Sequence, residues 1–392
     1  MTPLQGTTVV DLTRVLSGPY CTMMLADMGA RVIKIEQPGK GDDTRAWGPP
    51  FLNGESAYFL SINRNKESVT LDFKQPAGRD VLHGLLAKAD VLVENFRPGT
   101  LAKLGLDYAT LSALHPRLIY CSISGYGQTG PRRAEAGYDA VMQGEGGLMS
   151  ITGHADTAPV RLGVAIADVA TGMFAAQGIT AALLARERTG RGQAVDIAML
   201  DSVVGLLSYQ AGIYFATGVA PHRMGNRHPT IAPYETFPAE DGEFVLAVGN
   251  DDLWHRFCAV AEFAADERFA TNRQRVANHA ALKPLLDARL RTKTRAYWIG
   301  HLTAAGVPCG SVRDLHEVFT DPQVIERAMV TEFEHPVAGP LRVVGTPLKF
   351  SDTPAEIRTP PPTLGQHTDR VLTNDLGLPP ARVAALRAEG VI

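Results

Sequence analysis

The stretch TVVDLTRVLSGPYCTMMLADMGARVIKIE, residues 8–36, decides the fold class. Residues 8–12 predict a short buried strand, and residues 19–28 predict a helix that stops at Gly29. Arg31–Glu36 predicts a second strand. A strand, a helix and a strand in this order form a β-α-β unit, whose two strands run parallel. We therefore predict an α/β protein built on a parallel sheet.

The same alternation continues along the chain. Residues 69–72, 91–94 and 117–122 predict further strands, and residues 77–89 predict a helix between the first two of them. Strands separated by helices imply a mostly parallel sheet covered on both faces. Ligands bind such sheets beyond the carboxyl ends of the strands, so function is predicted in the loops there. These polar, glycine-rich loops are residues 13–18, 37–43, 95–99 and 124–131.

The length of 392 residues exceeds one ordinary core and predicts two or three compact units. The Gly- and Pro-punctuated segment 223–229 marks a predicted boundary. Residues 243–320 predict one strand and several amphipathic helices, which make a smaller α+β unit. The extended, proline-rich tail from residue 341 is predicted to return to the first unit.

Composition narrows the class of function. The hydrophobic fraction of 45% and the charged fraction of 20% are typical of a folded globular protein. The net charge of −3 excludes a globally basic nucleic-acid binder and favours a small polyanionic cofactor. The N-terminus lacks a secretory pattern, and the four cysteines predict reduced thiols, so we expect a cytoplasmic protein. The cysteines are Cys21, Cys121, Cys258 and Cys309.

The generic catalytic signatures are missing from the sequence. It has no P-loop, no HExxH, no GxSxG and no zinc-ligand spacing, which predicts an enzyme without a metal. The first β-α turn, residues 14–19, has one glycine where a dinucleotide fingerprint requires three, which argues against a nicotinamide cofactor. The same turn can still present helix N-terminal amides to an anion.

Asp168 is the only ionisable side chain between Leu162 and Ala185. The segment is long enough to suggest a membrane span, but glycines and threonines interrupt it, and a buried helix without a membrane is the better interpretation. An ionised carboxylate among apolar groups costs free energy unless it is paired. Asp168 therefore either has a partner elsewhere in the chain or is retained for its reactivity. Asp168 is therefore the leading candidate for a nucleophile, and a helix cap or a satisfied core acid is the alternative.

Two further features could contribute to a site. Cations recur near the strand ends and together suit a phosphorylated cofactor, although each alone could be a solvated surface charge. They are Lys34, Lys40, Arg45, Arg64, Lys66, Lys74, Arg97 and Lys103. Residues 137–139 and 143–147 precede Asp168 by about a helix and a turn and could fold back against it. Tyr138 could donate a hydrogen bond to a developing oxyanion, or be a core ring with a bonded hydroxyl.

Several motifs, taken in order, resemble those of the class III CoA-transferases, the CaiB/BaiF type. They are DLTRVLSGP (residues 11–19), GARVIKIE (29–36), GDDTR (41–45), VENFRPG (93–99), the Asp168 segment and TGRGQ (189–193). Within this family the chain is most similar to the succinate–hydroxymethylglutarate CoA-transferase branch. The stretches that indicate this similarity are YFLSINRNK (58–66), IYCSISGYGQTGP (119–131), IAPY (231–234) and LGQHT (364–368).

The resemblance implies an architecture that spacing alone does not show. It implies a homodimer of two interlocked ring-like chains. Each chain would have a large Rossmann-like domain of residues 1–222 and 326–392, formed by both termini and binding coenzyme A. Residues 223–325 would form a small α+β domain with linkers.

The resemblance also implies the site. Asp168 matches the catalytic aspartate of the family, and Tyr138 matches a tyrosine near the reacting carbonyl in formyl-CoA transferases. Tyr58 is predicted to contact substrate. Residues predicted to bind CoA are Val15, Leu16, Ser17, Trp47, Leu71, Lys74, Asn95, Phe96, Arg97 and Lys103. Formyl-CoA transferases carry a glutamine at the position of Leu16 and a glycine run at residues 248–251, and these departures argue against oxalate and formate as substrates.

The predicted reaction moves CoA from an acyl-CoA, expected to be succinyl-CoA, to a carboxylic acid through aspartyl anhydride and aspartyl-CoA thioester intermediates. A dicarboxylate needs a cation to bind its distal carboxylate, and we predict that Arg14 supplies it, with Arg64 as the second candidate.

One alternative function is that of a 2-methylacyl-CoA racemase, but that branch has a histidine at the position of Tyr138. Another is a non-catalytic CoA-binding protein. His228 and His367 are interpreted as loop histidines outside the site.

Overall fold

The computed structural model describes all 392 residues, Met1–Ile392. Its strands are β1 (Thr8–Asp11), β2 (Arg31–Glu36), β3 (Phe51–Leu52), β4 (Glu55–Ser56), β5 (Lys66–Thr70), β6 (Val91–Glu94), β7 (Ile119–Ser124), β8 (Ala194–Ala198), β9 (Tyr234–Ala239), β10 (Gly242–Ala247), β11 (Cys309–Ser311), β12 (Val330–His335) and β13 (Gly339–Val344). Its helices are α1 (Ser17–Asp27), α2 (Ala57–Ile62), α3 (Pro76–Leu86), α4 (Tyr108–Leu114), α5 (Asp139–Glu145), α6 (Leu148–Ile151), α7 (Ile166–Thr189), α8 (Met199–Leu206), α9 (Ser208–Thr217), α10 (Asp251–Ala261), α11 (Asn272–Ala277), α12 (His279–Leu290), α13 (Arg295–Ala304), α14 (Leu315–Phe319), α15 (Pro322–Glu326), α16 (Thr368–Arg370) and α17 (Pro380–Ala388).

Six strands form one parallel sheet in the order β5-β2-β1-β6-β7-β8. The predicted α/β class is confirmed, and the strand order is that of a Rossmann-like sheet. The chain builds outward from β1 to β5 and then starts again on the other side of β1 with β6. Loops on the two sides of this reversal diverge, which opens a crevice at the carboxyl ends of β1 and β6. Residues 12–16 and 95–99 border that crevice.

In the six-stranded sheet, β5 and β8 differ most from the sequence prediction. β5 begins at Lys66, three residues before the predicted start, because a charged side chain at the first position conceals the apolar pattern. In the fold the Lys66 ammonium is fully buried and lies 3.3 Å from a carboxylate oxygen of Asp11. β8 was not predicted at all, since Asp196 interrupts a short strand at the edge of the sheet.

The sheet separates two apolar cores, since successive side chains of a strand point to opposite faces. On one face Val10 and Leu92 pack with side chains of α3, α4 and α17. On the other face Val9 packs with side chains of α1 and α7. The end of the chain reaches the first core, where the carbonyl of Val391 accepts a hydrogen bond of 2.7 Å from the backbone N–H of Asp72.

The chain divides into two compact units. The larger contains residues 1–148, 162–209 and 322–392, and therefore both termini, and the smaller contains residues 149–161 and 210–321. The smaller unit holds the antiparallel sheet β11-β10-β9, of which β9 and β11 were not predicted. Helices α10, α12 and α13 pack with this sheet in an apolar core. In the sequence prediction, residues 149–161 and 210–222 belonged to the large domain.

Helix α7 carries the segment around Asp168. By length and composition alone it could cross a membrane, but 44% of its most apolar window is buried inside the protein. Its buried face includes Ala175, Ala176 and Ile179, which pack on the sheet beside α1. The segment is therefore a core helix of the larger unit.

Candidate active site

Asp168 lies in the first turn of α7, where the helix dipole favours a carboxylate. The N-cap residue, Ala165, supplies no capping side chain. Asp139, the first residue of α5, supplies the cap instead, because its Oδ1 accepts a hydrogen bond of 2.9 Å from the backbone N–H of Ala167. Gln143 Nε2 donates to the other oxygen of Asp139 at 2.7 Å. A tertiary contact therefore fixes the start of the helix that carries Asp168.

Ser17, the first residue of α1, lies against Asp168 on the wall of the same cavity, and its hydroxyl and backbone amide lower the pKa of that carboxyl group. This contact brings two helix N-termini together, and small residues make it possible. A Cβ atom on Gly172 would lie 2.6 Å from the carbonyl oxygen of Ser17. Within the turn before α1, a Cβ atom on Gly18 would lie 2.3 Å from Cβ of Thr13, so this turn also requires a glycine. The small-residue sequence around Asp168 therefore serves the close packing of α1 on α7.

The pKa of Asp168 is raised to about 6, mainly by burial and in addition by the negative charge of Asp139, while the hydroxyl and backbone amide of Ser17 oppose the rise. The carboxylate is therefore more basic than a solvated aspartate and still ionised at neutral pH. The buried core acid Asp11 differs, because the charge of Lys66 holds its pKa below the usual value against the effect of burial. Unlike Asp11, Asp168 has no cation as a partner, and it is therefore a candidate for a reactive group.

Asp168 lines a cavity of about 200 Å³ that we call the reactive pocket. The cavity lies at the crevice between β1 and β6, and the loops after β7 and before α5 close its far side. The structure brings together here eight of the residues predicted from the sequence. They are Arg14, Val15, Ser17, Asn95, Phe96, Arg97, Tyr138 and Asp168.

A second cavity of about 210 Å³, the strand-end pocket, lies at the carboxyl ends of β1, β2 and β5. Arg14 and Phe96 line both cavities, so the two pockets are adjacent. Leu71 and Lys74, both predicted to bind CoA, line the strand-end pocket. Leu71 is only 1% exposed and therefore offers little surface to a ligand.

Five predicted residues line neither cavity, and four of them lie as follows. Leu16 is buried in a small apolar cluster, and Lys103 lies in a short 3-10 turn. The rings of Trp47 and Tyr58 meet edge to face, with centroids 5.1 Å apart. Burial raises the pKa of Tyr58 to about 12, and the charge of Asp168 contributes next. Tyr58 is thus within electrostatic range of the Asp168 carboxylate.

Arg64 does not reach the reactive pocket. It is 3% exposed, its Nη2 donates to Oδ2 of Asp27 at 2.7 Å, and its Nη1 donates to the carbonyl of Val344 at 2.9 Å. A buried arginine with these partners holds segments of the chain together and is closed off from a substrate. The prediction of Arg64 as a reserve substrate-binding residue is therefore wrong.

Other strand-end cations also serve the fold. Lys34 is buried and its Nζ lies 2.8 Å from Oδ2 of Asp42, and Arg45 Nε lies 2.7 Å from Oε2 of Glu36. Charges at buried strand ends must be neutralised, and these pairs do so. Of the eight cations, this leaves Lys74, Arg97 and Lys103 without an ion pair.

Asp139 is the functional contribution that the sequence analysis missed. Its segment was predicted to fold back against Asp168, but Asp139 itself was given no role. The available signal was Ala165, a residue without a capping side chain at the position before a long helix. Such a helix start implies a partner from elsewhere in the chain, but the sequence does not show which one.

Comparison with known proteins identifies the family. Residues 4–368 match the model of CoA-transferase family III. The chain belongs to this family. It is 43% identical over 395 residues to the succinyl-CoA:glutarate CoA-transferase of Mus musculus, an alignment that covers 100% of this chain and 91% of the relative. It is 44% identical over 379 residues to the succinate–glutarate CoA-transferase of Agrobacterium fabrum, which covers 94% of this chain and 95% of the relative.

Solved structures agree with this assignment. A CaiB/BaiF family protein from Brucella suis superimposes on the CoA-transferase with a TM-score of 0.85 at 45% identity, covering 95% of this chain and 99% of that one. The family recognised from the ordered motifs is confirmed, and the protein is an enzyme that uses CoA thioesters as substrates. No group of three or more His, Cys, Asp or Glu side chains is arranged to hold a metal ion.

Proposed function

We propose that this CoA-transferase moves CoA from succinyl-CoA to a dicarboxylate such as glutarate, with Asp168 as the nucleophile. The observation that carries the proposal is the position of Asp168, a partly buried carboxylate at the junction of two helix N-termini on the wall of the reactive pocket. The substrate pair is supported by relatives of 42% to 44% identity that are named for succinyl-CoA or succinate together with glutarate.

The reaction proceeds by four acyl exchanges at one carboxylate. An Asp168 oxygen attacks the thioester carbonyl of the donor, and the CoA thiolate leaves to give a mixed anhydride. The thiolate then attacks the aspartyl carbonyl, which releases succinate and leaves an aspartyl-CoA thioester. The acceptor carboxylate attacks that thioester and expels the thiolate, which finally attacks the acceptor carbonyl and frees Asp168. Each intermediate conserves the activation of the thioester, so no ATP is consumed.

Donors for the tetrahedral oxyanions lie beside Asp168. The amide and hydroxyl of Ser17 already face the carboxylate, and the N-terminus of α1 adds the positive end of its dipole. Tyr138 lines the same pocket with 65% of its surface exposed, so its hydroxyl is free to reach a substrate. Loss of one such donor from an oxyanion site costs about 2.7 to 4 kcal/mol of transition-state stabilisation.

Arg14 is the proposed partner of the distal carboxylate. Its side chain is 49% exposed and lines the reactive pocket, and its one ion pair is a 3.5 Å contact with Asp43. The guanidinium lies 5.1 Å from the ring centroid of Phe96, which holds it over the pocket. A carboxylate can therefore replace Asp43 as its partner without breaking a buried ion pair.

CoA is proposed to occupy the strand-end pocket and to extend its thioester into the reactive pocket. Lys74 would meet its phosphates, and Phe96, at the junction of the two cavities, would pack against the connecting chain. Arg97 and Lys103 follow on the same loop and the turn after it, and they remain proposed CoA contacts, as does Trp47. This placement keeps the charged end of CoA away from the reacting carbonyl.

A homodimer is also proposed. α7 leaves Met173, Phe174 and Leu184 exposed by 50%, 40% and 60%, an apolar surface of the kind that a second chain covers. Covering this helix would help to keep water away from its first turn, where hydrolysis would waste the anhydride. Sedimentation equilibrium tests the proposal, and a protein that stays monomeric at micromolar concentration would contradict it.

The central experiment separates the transferase from its two alternatives. The enzyme is mixed with succinyl-CoA and a panel that includes glutarate, oxalate and formate, and new thioesters are identified by mass. Oxalate belongs in the panel because a relative of 43% identity from Acetobacter aceti is named for acetyl-CoA and oxalate. We expect glutaryl-CoA and a hydroxylamine-sensitive adduct on Asp168. No adduct and no exchange would indicate a binding protein, whereas deuterium wash-in at the α-carbon of a 2-methylacyl-CoA without exchange would indicate a racemase.

A further inference from the structure

The turn between β1 and α1 is held in a strained backbone conformation. Val15 has a φ of 71°, in the left-handed region where a β-branched side chain clashes with its own backbone. Its neighbour Leu16 begins the helix with φ of −132° and ψ of −58°. This change of direction places Ser17 at the helix N-terminus against Asp168. A conformation of this kind persists only where surrounding contacts impose it.

Side chains from two other segments impose it. Asn95 Oδ1 accepts the backbone N–H of Arg14 at 2.9 Å, and Asn95 Nδ2 donates to the carbonyl of Arg14 at 2.7 Å. Asp42 Oδ1 accepts the backbone N–H of Val15 at 3.2 Å. The other oxygen of Asp42 is held by Lys34 Nζ at 2.8 Å. We call Asn95, Asp42 and Lys34 the turn clamp.

Asn95 has a special place in this clamp. It directly follows β6, and its side chain crosses the crevice at which the strand order reverses to form hydrogen bonds with the loop that follows β1. Both ends of its amide are used on the Arg14 backbone. The side chain is therefore engaged with the loop, even though the residue lines the reactive pocket.

We propose that Asn95 is a positioning residue for CoA transfer: it holds Val15 in its strained conformation and thereby keeps Ser17 against Asp168. The inference rests on the proposed role of Asp168 as the nucleophile. Without Asn95, Val15 relaxes to negative φ, and the Ser17 amide moves away from the site of the oxyanion. Turnover then falls, while CoA binding in the strand-end pocket is retained.

The test uses a rescue that only a strained backbone allows. N95A should lower kcat for succinyl-CoA and glutarate by about 10- to 30-fold, with the KM for succinyl-CoA changed by no more than about twofold. Adding V15G should restore kcat to within a few-fold of V15G alone, because glycine occupies positive φ without a steric cost. Adding V15A should not restore it, because alanine also loses the valine methyl groups but retains the Cβ atom.

Matched controls make the outcome decisive. Asn278 donates two hydrogen bonds of 3.0 Å to backbone carbonyls in the smaller unit, so N278A removes an equal number of contacts elsewhere. We expect kcat to stay unchanged in N278A. An equal fall in N278A would mean that N95A acts through general destabilisation, and would overturn the proposal. Equal rates for N95A/V15G and N95A/V15A, or a main effect of N95A on the KM for succinyl-CoA, would overturn it as well.

Two further measurements keep the proposal testable. If N95A does not fold, V15G and V15A are compared by urea unfolding with Asn95 in place. V15G should then be the more stable of the two, and the reverse order would show that Val15 carries no strain. Failure of the nucleophile assignment gives a different result, since the D168N variant would then retain turnover while the glycine rescue of N95A could still be observed.

Discussion

Replacing Asp168 with asparagine should abolish transfer and, at neutral pH, stabilise the fold. The pKa of Asp168 is raised to about 6 from 3.8, so the ionised form that catalysis requires is disfavoured in the folded protein. The difference between the two pKa values corresponds to about 3 kcal/mol, and partial access of solvent reduces this to about 1 to 2 kcal/mol. Asparagine has nearly the same shape and carries no charge, so it avoids this cost.

The pH dependence gives this prediction its sign. The cost of the raised pKa is absent below the unfolded pKa of 3.8, grows as pH rises from there, and is complete above the folded pKa of about 6. The stability advantage of D168N should therefore be near zero at about pH 4 and reach about 1 to 2 kcal/mol at about pH 7.5. Urea unfolding at several pH values measures it. D80N, at an exposed position of α3, controls for the substitution itself.

Activity is measured on the same samples. kcat should fall by about three orders of magnitude or more, because no other group replaces the nucleophile. A D168N variant that is less stable than the wild type at neutral pH would refute the reasoning. So would an advantage that does not change with pH, because the ionised carboxylate would then not be its source.

Three other changes test the site. Asp139→Asn keeps an oxygen to cap α7 but removes a charge that raises the pKa of Asp168. The acidic limb of the pH profile of kcat/KM should therefore move to lower pH, and an unmoved limb would show that the Asp139 charge does not affect Asp168. Arg14→Ala should raise the KM for glutarate by about 10- to 100-fold and leave that for a monocarboxylate nearly unchanged, and equal effects on both acids would remove Arg14 from this role. Gly172→Ala places a Cβ atom 2.6 Å from a carbonyl oxygen of α1, so it should cost about 1 to 3 kcal/mol in urea unfolding and lower kcat. Gly205→Ala, in open space on α8, is its control, and equal losses in the two variants would show that helix packing is not the cause.

The predictable part of the fold consists of elements with a clean local pattern. β1, α1 and β2 follow the predicted order because apolar residues, a helix stop and a second apolar run occur within 29 residues. β5 and β8 were misplaced or missed, because Lys66 and Asp196 break the pattern. Lys66 is tolerated there because its ammonium is bonded to Asp11, 55 residues away, and to Pro19 and Asn63.

The candidate site, like the fold, was predictable only in part. Asp168, Tyr138 and Arg14 were named from the sequence and meet at one cavity. Arg64 was chosen from the same pattern of cations near the strand ends, but it forms a buried ion pair with Asp27 instead. Charge shows that a side chain needs a partner, but which partner it finds depends on how the strands are ordered.

By itself the sequence determined the α/β class and the family, because periodicity and the order of motifs are properties read along one chain. Only the tertiary structure decided that Asp139 caps the helix of Asp168 and that Asn95 holds the turn at Val15. These contacts join segments brought together by the strand order and by the packing of α5 beside α7. A buried polar group takes the partner that packing places within hydrogen-bond distance, and no local pattern specifies that partner.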